Sequence, residues 1–449
     1  MPTSRRQEML DDLERELARR MPTGEVITDP AEVARATALF NRRLEKHPLA
    51  VARCSSTVDV QGAVIAARES DVSFSVLSGG HDVVTGSSVR DGGLVIDIRG
   101  LDHIDVSDDL ATVGGGVTTL ALLETAAKHG ATPVVGTVGS VGVVGLTLGG
   151  GYGNLIGTGG LAIDSLVSAE VVLADGSLVT ADDETHPDLF WALRGGGGNF
   201  GVVTSVVTRL LPVAEVTSGM FAFPLHQADQ VLAGLRQLTG DPSDDRLDVK
   251  TGFLATPDGV VVFAQPTWSG TAESGNAHME AIRALGDPVI DAVGRAPLAE
   301  AVRASDANYP PGNYLFASRI LPAPSEAGAA RLIRAAEAMP LGGVLNIHHA
   351  HGAATRVPVA QTAHAYRDEH LIVEIIGMWA DGDGADLASW MDDTTDLLEP
   401  VALPGGWAVL TGLDDERRRD AFGSNTERLL AVKERYDPDG VFRATSLPR

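Results

Sequence analysis

The chain has 449 residues, of which 44% are hydrophobic and 21% charged, and its formal net charge is −25 at pH 7. This composition is that of a globular protein with room for roughly two or three domains. The acidic excess argues against nucleic acid as a partner, because binding it requires a basic face. No apolar run approaches the ~20 residues of a membrane span. The single cysteine, Cys54, excludes an intrachain disulfide and fits a reducing cytoplasm.

Helical and strand patterns alternate through the first half of the chain. Residues 4–22 have a helical pattern, and no apolar core follows the nearby arginine pair, so we predict neither a secretory nor a twin-arginine signal. Between residues 48 and 213, β-branched runs alternate with helical patterns at 59–69 and 120–129. This favours an α+β arrangement over a doubly wound sheet. A G-x-G-x-x-A match at 157–162 lacks the helix that a dinucleotide-binding fingerprint requires after it.

The most informative stretch is residues 134–160, with eleven glycines in twenty-seven residues and no lysine or arginine. Glycine at this density sacrifices conformational entropy and side-chain packing, which indicates that something bulky lies against the backbone. A nucleotide pyrophosphate held by main-chain N–H groups is the nearest precedent. Without basic residues, the charge of such an anion would be neutralised by amide dipoles. The alternative is a set of tight turns between buried strands.

The segment from residue 215 to about 410 has a different character. Strand patterns alternate with helical patterns, which predicts an antiparallel sheet with helices on one face, a separate substrate domain. We expect a ligand cleft where this domain meets the first. The strand patterns are at 218–224, 249–254, 260–268, 343–351 and 370–379, and the helical patterns are at 227–239, 272–285, 325–338 and 385–398.

Several motifs in a fixed order point to a known family. They are SGGH at 78–81, DGGLVID at 91–97, LTLGGGYG at 146–153, PDLFWALRGGGGNFGVVT at 187–204 and RLLAVKERYDPDGVFR at 428–443. Together they resemble the berberine-bridge-enzyme-like FAD-linked oxidases of the vanillyl-alcohol-oxidase superfamily. The resemblance covers nearly the whole chain.

The resemblance implies an α+β fold in which a PCMH-type FAD-binding domain is joined to a substrate domain with an antiparallel sheet covered by helices. The implied parts are an N-terminal helical segment of the FAD domain at 1–46, the FAD-binding domain at 47–213, the substrate-binding domain at 214–411 and a segment returning to the FAD domain at 412–449.

The resemblance also implies FAD bound covalently at His81 through a single 8α-histidyl link. Many family members add a second link from a cysteine, but that position holds Val138 here. Two further departures are Leu77, where the family usually has arginine, and Val83, where plant members often have tyrosine. The residues expected to contact FAD are Leu77, Ser78, Gly79, Gly80, His81, Asp82, Gly139, Ser140, Gly142, Gly145, Gly149, Gly150, Gly153, Asn154, Val202 and Val203.

The strand predicted at 343–351 is expected to carry side chains that lie above the flavin. Period-two alternation puts Asn346 and His348 on one face, and the resemblance turns that face toward the flavin. Imidazole suits proton transfer at neutral pH, although His348 has the alternative of bonding across the sheet. Asn425 resembles a family asparagine near flavin and substrate. The expected catalytic residues are therefore His348, Asn346 and Asn425.

Three histidines within four positions raise the alternative of a metal site. His349 and His351 share the face opposite His348. No aspartate or glutamate lies nearby in sequence to complete a shell of ligands, so we predict no metal.

The activity implied by the resemblance is an oxidase reaction. A small or medium organic alcohol, amine or secondary metabolite would transfer a hydride to FAD, and molecular oxygen would reoxidise the flavin to give hydrogen peroxide. The alternatives are a flavin-carrying binding or resistance protein, and an oxygenase or oxidative cyclase of a biosynthetic pathway. We expect a cytoplasmic protein, a possible homodimer, whose partners are its small-molecule substrate and oxygen rather than nucleic acid or membrane.

Overall fold

The computed structural model describes residues 3–240, 244–412, 415–445 and 447–448. Over these ranges the chain forms thirteen α-helices and seventeen β-strands, joined by short 3₁₀ turns. The helices are α1 Thr3–Arg20, α2 Pro30–Ala36, α3 Thr57–Glu69, α4 Thr119–Ala127, α5 Val143–Leu148, α6 Ile156–Gly159, α7 Pro187–Leu193, α8 Ala228–Thr239, α9 Ala272–Arg283, α10 Leu298–Asp306, α11 Glu326–Glu337, α12 Ala385–Leu398 and α13 Thr426–Tyr436. None of these helices is long and apolar enough to cross a membrane.

The strands form three sheets. They are β1 Glu25–Ile27, β2 Ala50–Arg53, β3 Phe74–Leu77, β4 Leu94–Asp97, β5 Ile104–Ser107, β6 Leu110–Gly114, β7 Thr132–Pro133, β8 Leu166–Val172, β9 Leu178–Ala181, β10 Val202–Leu211, β11 Val216–Pro224, β12 Leu247–Thr256, β13 Gly259–Trp268, β14 Ile290–Ala296, β15 Asn313–Pro322, β16 Gly343–Ala350 and β17 His370–Trp379.

The first two sheets lie within the first half of the chain. One has the order β1-β2-β4-β3, with β2, β4 and β3 parallel. Helix α3 connects β2 to β3, and its start is fixed by a capping box in which Ser56 accepts from the Asp59 amide while the Asp59 carboxylate accepts from the Ser56 amide. The other sheet has the order β5-β6-β10-β8-β9, with β7 also paired to β10. Strand β3 ends at Leu77, which delivers the SGGH motif to the edge of its sheet.

The third sheet is antiparallel throughout and has the order β14-β11-β13-β12-β16-β17-β15. Alternate residues such as Phe253 and Leu345 point to one face, where they form a core with apolar residues of α8, α9, α11 and α12. The other face of the sheet bears the polar residues described below. The fold is therefore α+β, as the sequence predicts, with an antiparallel sheet covered by helices on one side.

The last helix returns to the first half of the molecule. Leu429 and Val432 of α13 share a core with Phe190 and Trp191 of α7. The Tyr436 hydroxyl donates to the Asp188 carboxylate at 2.8 Å. Helix α13 therefore packs against α7, in the first half of the chain.

Within the segment from residue 215 to about 410, three elements, β14, β15 and α10, have no counterpart among the sequence patterns. The two strands are the edges of the seven-stranded sheet, so each has only one neighbour. Strand β14 is also largely exposed and has no regular alternation of apolar residues. Helix α10 does not cover the sheet but packs Leu298 and Val302 into the core around α4, a tertiary contact that local sequence does not reveal.

Candidate active site

A cavity of about 400 Å³ lies between the glycine-rich segments and the uncovered face of the seven-stranded sheet. Its glycine side includes residues 78–82, 141–142 and 144–146, and the facing sheet contributes polar and apolar side chains. On the sheet side, the residues that line the cavity include Lys250, Phe316, Asn346, Glu374 and Ile376. The cleft expected between the two parts of the chain is therefore present.

The glycine side of the cavity depends on a close approach of two loops. A Cβ atom on Gly79 would lie 2.3 Å from the amide nitrogen of Gly142, and one on Gly142 would lie 2.5 Å from the Ser78 hydroxyl oxygen. These loops pack only because neither glycine has a side chain. Gly145, by contrast, has open space where its Cβ would stand, at the cavity wall. This side therefore offers bare backbone to a bulky ligand.

His81 lies at the end of the SGGH motif and lines the cavity. Its Nε2 atom is 2.9 Å from the Ser140 hydroxyl, and its ring centroid is 4.1 Å from that of Phe40. Burial lowers the pKa of His81 to about 4, because the imidazolium form would lose hydration. At neutral pH His81 is thus an uncharged imidazole with a fixed orientation.

The structure divides the expected FAD-contacting residues into two groups. Those that line the cavity are Ser78, Gly79, Gly80, His81, Asp82, Gly142, Gly145, Val202 and Val203. Those that lie outside its wall are Leu77, Gly139, Ser140, Gly149, Gly150, Gly153 and Asn154.

The second group has identifiable structural contacts. The Leu77 side chain is buried in an apolar cluster with Leu39. The Gly139 amide donates to the Asp306 carboxylate at 2.8 Å, and the Gly149 carbonyl accepts from the Trp407 indole at 2.8 Å. Gly139 and Gly149 therefore connect the glycine-rich stretch to distant segments of the chain, a task that neither interpretation of the sequence included.

The centre of the sheet side is the carboxylate of Glu374, on β17. Its Oε1 accepts from the Tyr152 hydroxyl, and its Oε2 accepts from the Asn346 amide at 3.0 Å. The His348 Nε2 atom lies 3.7 Å from the same Oε2. Burial alone would raise the pKa of Glu374, but the nearby His348, followed by the hydrogen bonds from Tyr152 and Asn346, lowers it to about 2. Glu374 is therefore a carboxylate at neutral pH.

Tyr152 belongs to the glycine loop and reaches the sheet through this hydrogen bond. Burial and the neighbouring Glu374 charge hold the pKa of Tyr152 well above its ordinary range, so it keeps its proton. Its ring packs edge-on against His348, with centroids 4.8 Å apart. On the far side, Tyr309 donates to the Asn346 side-chain oxygen at 3.4 Å. Tyr309, Asn346, Glu374 and Tyr152 form one hydrogen-bonded chain.

The predicted alternation of β16 agrees with these contacts. Asn346 lines the cavity, and His348 contacts Tyr152 and Glu374 on the same side of the sheet, whereas Leu345 belongs to the helix-covered core. His348 itself does not reach the cavity wall, because Tyr152 and Glu374 lie between. The structure therefore places His348 outside the cavity, where it lowers the pKa of Glu374.

Asn425 lies outside the cavity wall. Its side-chain amide donates to the carbonyl oxygens of Val359 and Thr362, both at 3.0 Å. The same residue is the N-cap position of α13. The geometry gives Asn425 a structural task, the attachment of residues 359–363 to the start of α13.

His349 and His351 have separate carboxylate partners. His349 Nε2 is 2.7 Å from Glu369, and His351 Nε2 is 3.1 Å from Asp248. These carboxylates come from other segments, so a search of the nearby sequence does not find them. Among the residues that the structure describes, no three acidic, histidine or cysteine side chains form a metal-binding group.

Sequence reasoning did not single out Glu374, Lys250 or Tyr152. A signal was present for the first two, because Glu374 is the only charged residue of β17 and Lys250 is one of two on β12. A charge within a buried strand needs a partner or a ligand. Tyr152 lay inside the family motif at 146–153, but only tertiary structure brings it to Glu374.

Comparison with known proteins agrees with this geometry. A family model described as an FAD binding domain matches residues 48–182, and one described as berberine and berberine like matches residues 393–446. The bare glycine wall and the imidazole at its end fit a large planar cofactor, so the residues present suit FAD. Fold and site together define an FAD-binding oxidoreductase.

Individual relatives cover nearly the whole chain. An uncharacterized FAD-linked oxidoreductase of Bacillus subtilis, YgaK, is 31% identical over 435 residues, 94% of this chain and 96% of the relative. The structure of 6-hydroxy-D-nicotine oxidase from Arthrobacter nicotinovorans has a TM-score of 0.83 at 26% identity, covering 95% of this chain and 98% of that one. The chain belongs to the berberine-bridge-enzyme-like family of FAD-linked oxidoreductases.

A third relative shows the same fold. The structure of glucooligosaccharide oxidase from Acremonium strictum, described with a 6-S-cysteinyl, 8α-N1-histidyl FAD, has a TM-score of 0.83 at 23% identity. The match covers 97% of this chain and 99% of that one.

Proposed function

We propose that this protein oxidises a small or medium organic alcohol or amine, transferring a hydride to FAD that molecular oxygen then reoxidises, with release of hydrogen peroxide. The observation that carries the proposal is the Tyr152–Glu374–Asn346 cluster, which shares one cavity with His81. When bound, FAD would supply the acceptor for the hydride. The protein must then orient the donor and take up a proton.

Tyr152 and Glu374 are placed to take up that proton. The Tyr152 oxygen has a lone pair available to a substrate O–H or N–H while its own proton is directed at Glu374 Oε1. As the substrate loses its hydride, its proton passes to Tyr152, and the Tyr152 proton passes to Glu374. Asn346 and His348 hold the carboxylate in place, so His348 acts through Glu374 rather than on the substrate.

We further propose that FAD is attached at His81 by a single covalent link. The uncharged imidazole has a nitrogen lone pair, and its Nε2 is engaged by Ser140, which leaves Nδ1 as the free atom. Glucooligosaccharide oxidase supports the histidyl link by its 8α-N1-histidyl FAD. Its second, cysteinyl link has no counterpart here, because Val138 replaces the cysteine.

Acid precipitation tests the covalent proposal. The pellet should stay yellow, and a tryptic peptide containing His81 should carry the mass of the flavin. His81→Ala should give a colourless pellet. A colourless pellet from the unaltered protein would refute the link.

Stopped-flow measurement of flavin bleaching tests the oxidase proposal. Donors from the alcohol and amine classes should bleach the flavin anaerobically, and readmitted oxygen should restore the colour with one peroxide released per turnover. Tight binding without bleaching would instead indicate a binding or resistance protein. Oxygen incorporated into the product would indicate an oxygenase or oxidative cyclase.

A further inference from the structure

Lys250 is the feature of the cavity that the proton relay leaves unused. It lies on β12, is 8% exposed and lines the cavity on the same side as Asn346 and Glu374. It forms no hydrogen bond or ion pair with any residue that the structure describes. A buried ammonium group without a partner is costly unless something else supplies one.

Glu374 favours the charged form of Lys250 only through its negative charge, which opposes part of the effect of burial on the pKa of Lys250. The two oxygens of Glu374 already accept hydrogen bonds from Tyr152 and Asn346, and no ion pair joins it to Lys250. The cross-strand neighbour of Lys250 is Gln265, whose amide nitrogen is directed at the Met220 sulfur at 3.5 Å. The three donor hydrogens of Lys250 are thus available to a molecule in the cavity.

We infer that the substrate is an organic acid, an alcohol or amine whose carboxylate pairs with Lys250 while its oxidised carbon lies near Tyr152. This inference rests on the proposed function. Phe316, Ile376 and Tyr314 line the same cavity and provide an apolar surface for the rest of the molecule. The overall charge of −25 does not oppose this assignment, because the interaction is local and shielded from solvent.

The test is a comparison of acids with their uncharged amides in the flavin-loaded protein. Acetate and acetamide, benzoate and benzamide, and 2-naphthoate and 2-naphthamide differ in charge more than in shape. Binding is measured by calorimetry at pH 7, with the flavin spectrum as a second signal. In the pair that fits best, the acid should bind about tenfold more tightly or better, the scale of one charge-assisted hydrogen bond.

Lys250→Met should bring the acid-to-amide ratio close to one, and Lys250→Gln gives a second variant if the first folds poorly. Lys128→Met removes an exposed lysine outside the cavity wall and should leave the ratio unchanged. Because burial lowers the pKa of Lys250 to about 8, the preference should also fade as the pH rises above 8. An arginine stays charged at this pH. Loss of the preference above pH 8 would therefore show that it does not depend on an arginine.

The inference is overturned if no acid binds more tightly than its amide, or if the preference survives in Lys250→Met. If Lys250→Met changes the reduction potential of the flavin but leaves the acid-to-amide binding ratio unchanged, Lys250 interacts with the flavin and not with an acid. Failure of the proposed function can be distinguished from failure of the acid site. Acid binding without flavin reduction by any donor would refute the oxidase and leave the acid site standing, whereas reduction without acid preference would refute only the acid site.

Discussion

Glu374 and Lys250 lie in one cavity, and burial disfavours the charged form of each. Glu374 receives hydrogen bonds from Tyr152 and Asn346 and has His348 nearby, so its pKa falls to about 2. Burial lowers the pKa of Lys250 to about 8, and the only compensation for its charge is the Coulombic interaction with Glu374. The two side chains therefore differ in surroundings: the Glu374 carboxylate accepts a hydrogen bond at each oxygen, whereas the Lys250 ammonium donates none to the residues that the structure describes.

Replacement of Glu374 tests the proton relay directly. Glu374→Gln keeps the size of the side chain but removes the acceptor of the Tyr152 proton. The rate of flavin reduction by substrate, followed by stopped flow, should fall by roughly 10²–10⁴-fold, the range for a positioned acid–base group. Glu369→Gln is the control, since Glu369 bonds His349 away from the cavity and should leave the rate unchanged. A Glu374→Gln protein with the normal rate would contradict the relay.

Replacement of Lys250 should affect stability in the opposite direction from most core substitutions. Burial lowers the folded-state pKa from 10.5 to about 8, so the cost of the buried charge is fully present below pH 8 and is relieved as the pH rises to 10.5. Lys250→Met should therefore raise the free energy of unfolding at pH 7 by about 1–3 kcal/mol. Urea unfolding at pH 7 and pH 10 measures this, and the advantage of the variant should shrink at pH 10. A destabilised variant at pH 7 would show that Lys250 has a partner after all.

At the scale of single elements, the alternation of β16 was readable from the sequence, but the neighbours of β16 were not. Period-two spacing places Asn346 and His348 on the cavity side. Nothing in that spacing shows that Glu374 pairs opposite Asn346 on β17, or that the Tyr152 ring covers His348. A local pattern fixes the face of a strand, whereas the order of strands in a sheet is set by packing across the whole domain.

The two adjacent histidines of β16 provide a matched pair for this strand. His348→Ala removes a group that lowers the pKa of Glu374, so the acidic limb of the flavin-reduction profile should move to higher pH. His349→Ala removes a partner of Glu369 on the other face and should leave that profile in place while lowering the free energy of unfolding. Reduction rates across pH, with urea unfolding at pH 7, separate the two effects. Identical pH profiles in both variants would reassign His348 to packing alone.

At the scale of the whole molecule, the glycine-rich stretch both lines the cavity and binds distant segments of the chain, and only the first of these was suggested by the sequence. Gly142 and Gly145 face the cavity. Gly139 and Gly157 instead donate backbone N–H groups to Asp306 and Asp248, side chains that lie more than ninety residues away. The motif order was sufficient to predict the fold and the family. Contacts of this kind depend on distant segments and became visible only in the folded chain.

A buried ion pair joins these distant segments most directly. Asp164 follows the glycine-rich stretch and accepts two hydrogen bonds from Arg367, at 2.8 and 2.9 Å, while Arg367 also donates to the Thr362 hydroxyl. The two side chains are 9% and 2% exposed. Both charges are thus removed from water and depend on one another.

Arg367→Met should therefore leave an unpaired buried carboxylate and lower the free energy of unfolding by about 3–5 kcal/mol, the cost of breaking a buried pair from one side. Urea unfolding at pH 7 measures the loss. Arg15→Met is the matched control, because the Arg15–Asp12 pair is exposed and its removal should change stability by less than about 1 kcal/mol. Equal effects of the two substitutions would show that Arg367 is replaceable, and that packing between the glycine-rich stretch and residues 354–367 holds these segments together without the ion pair.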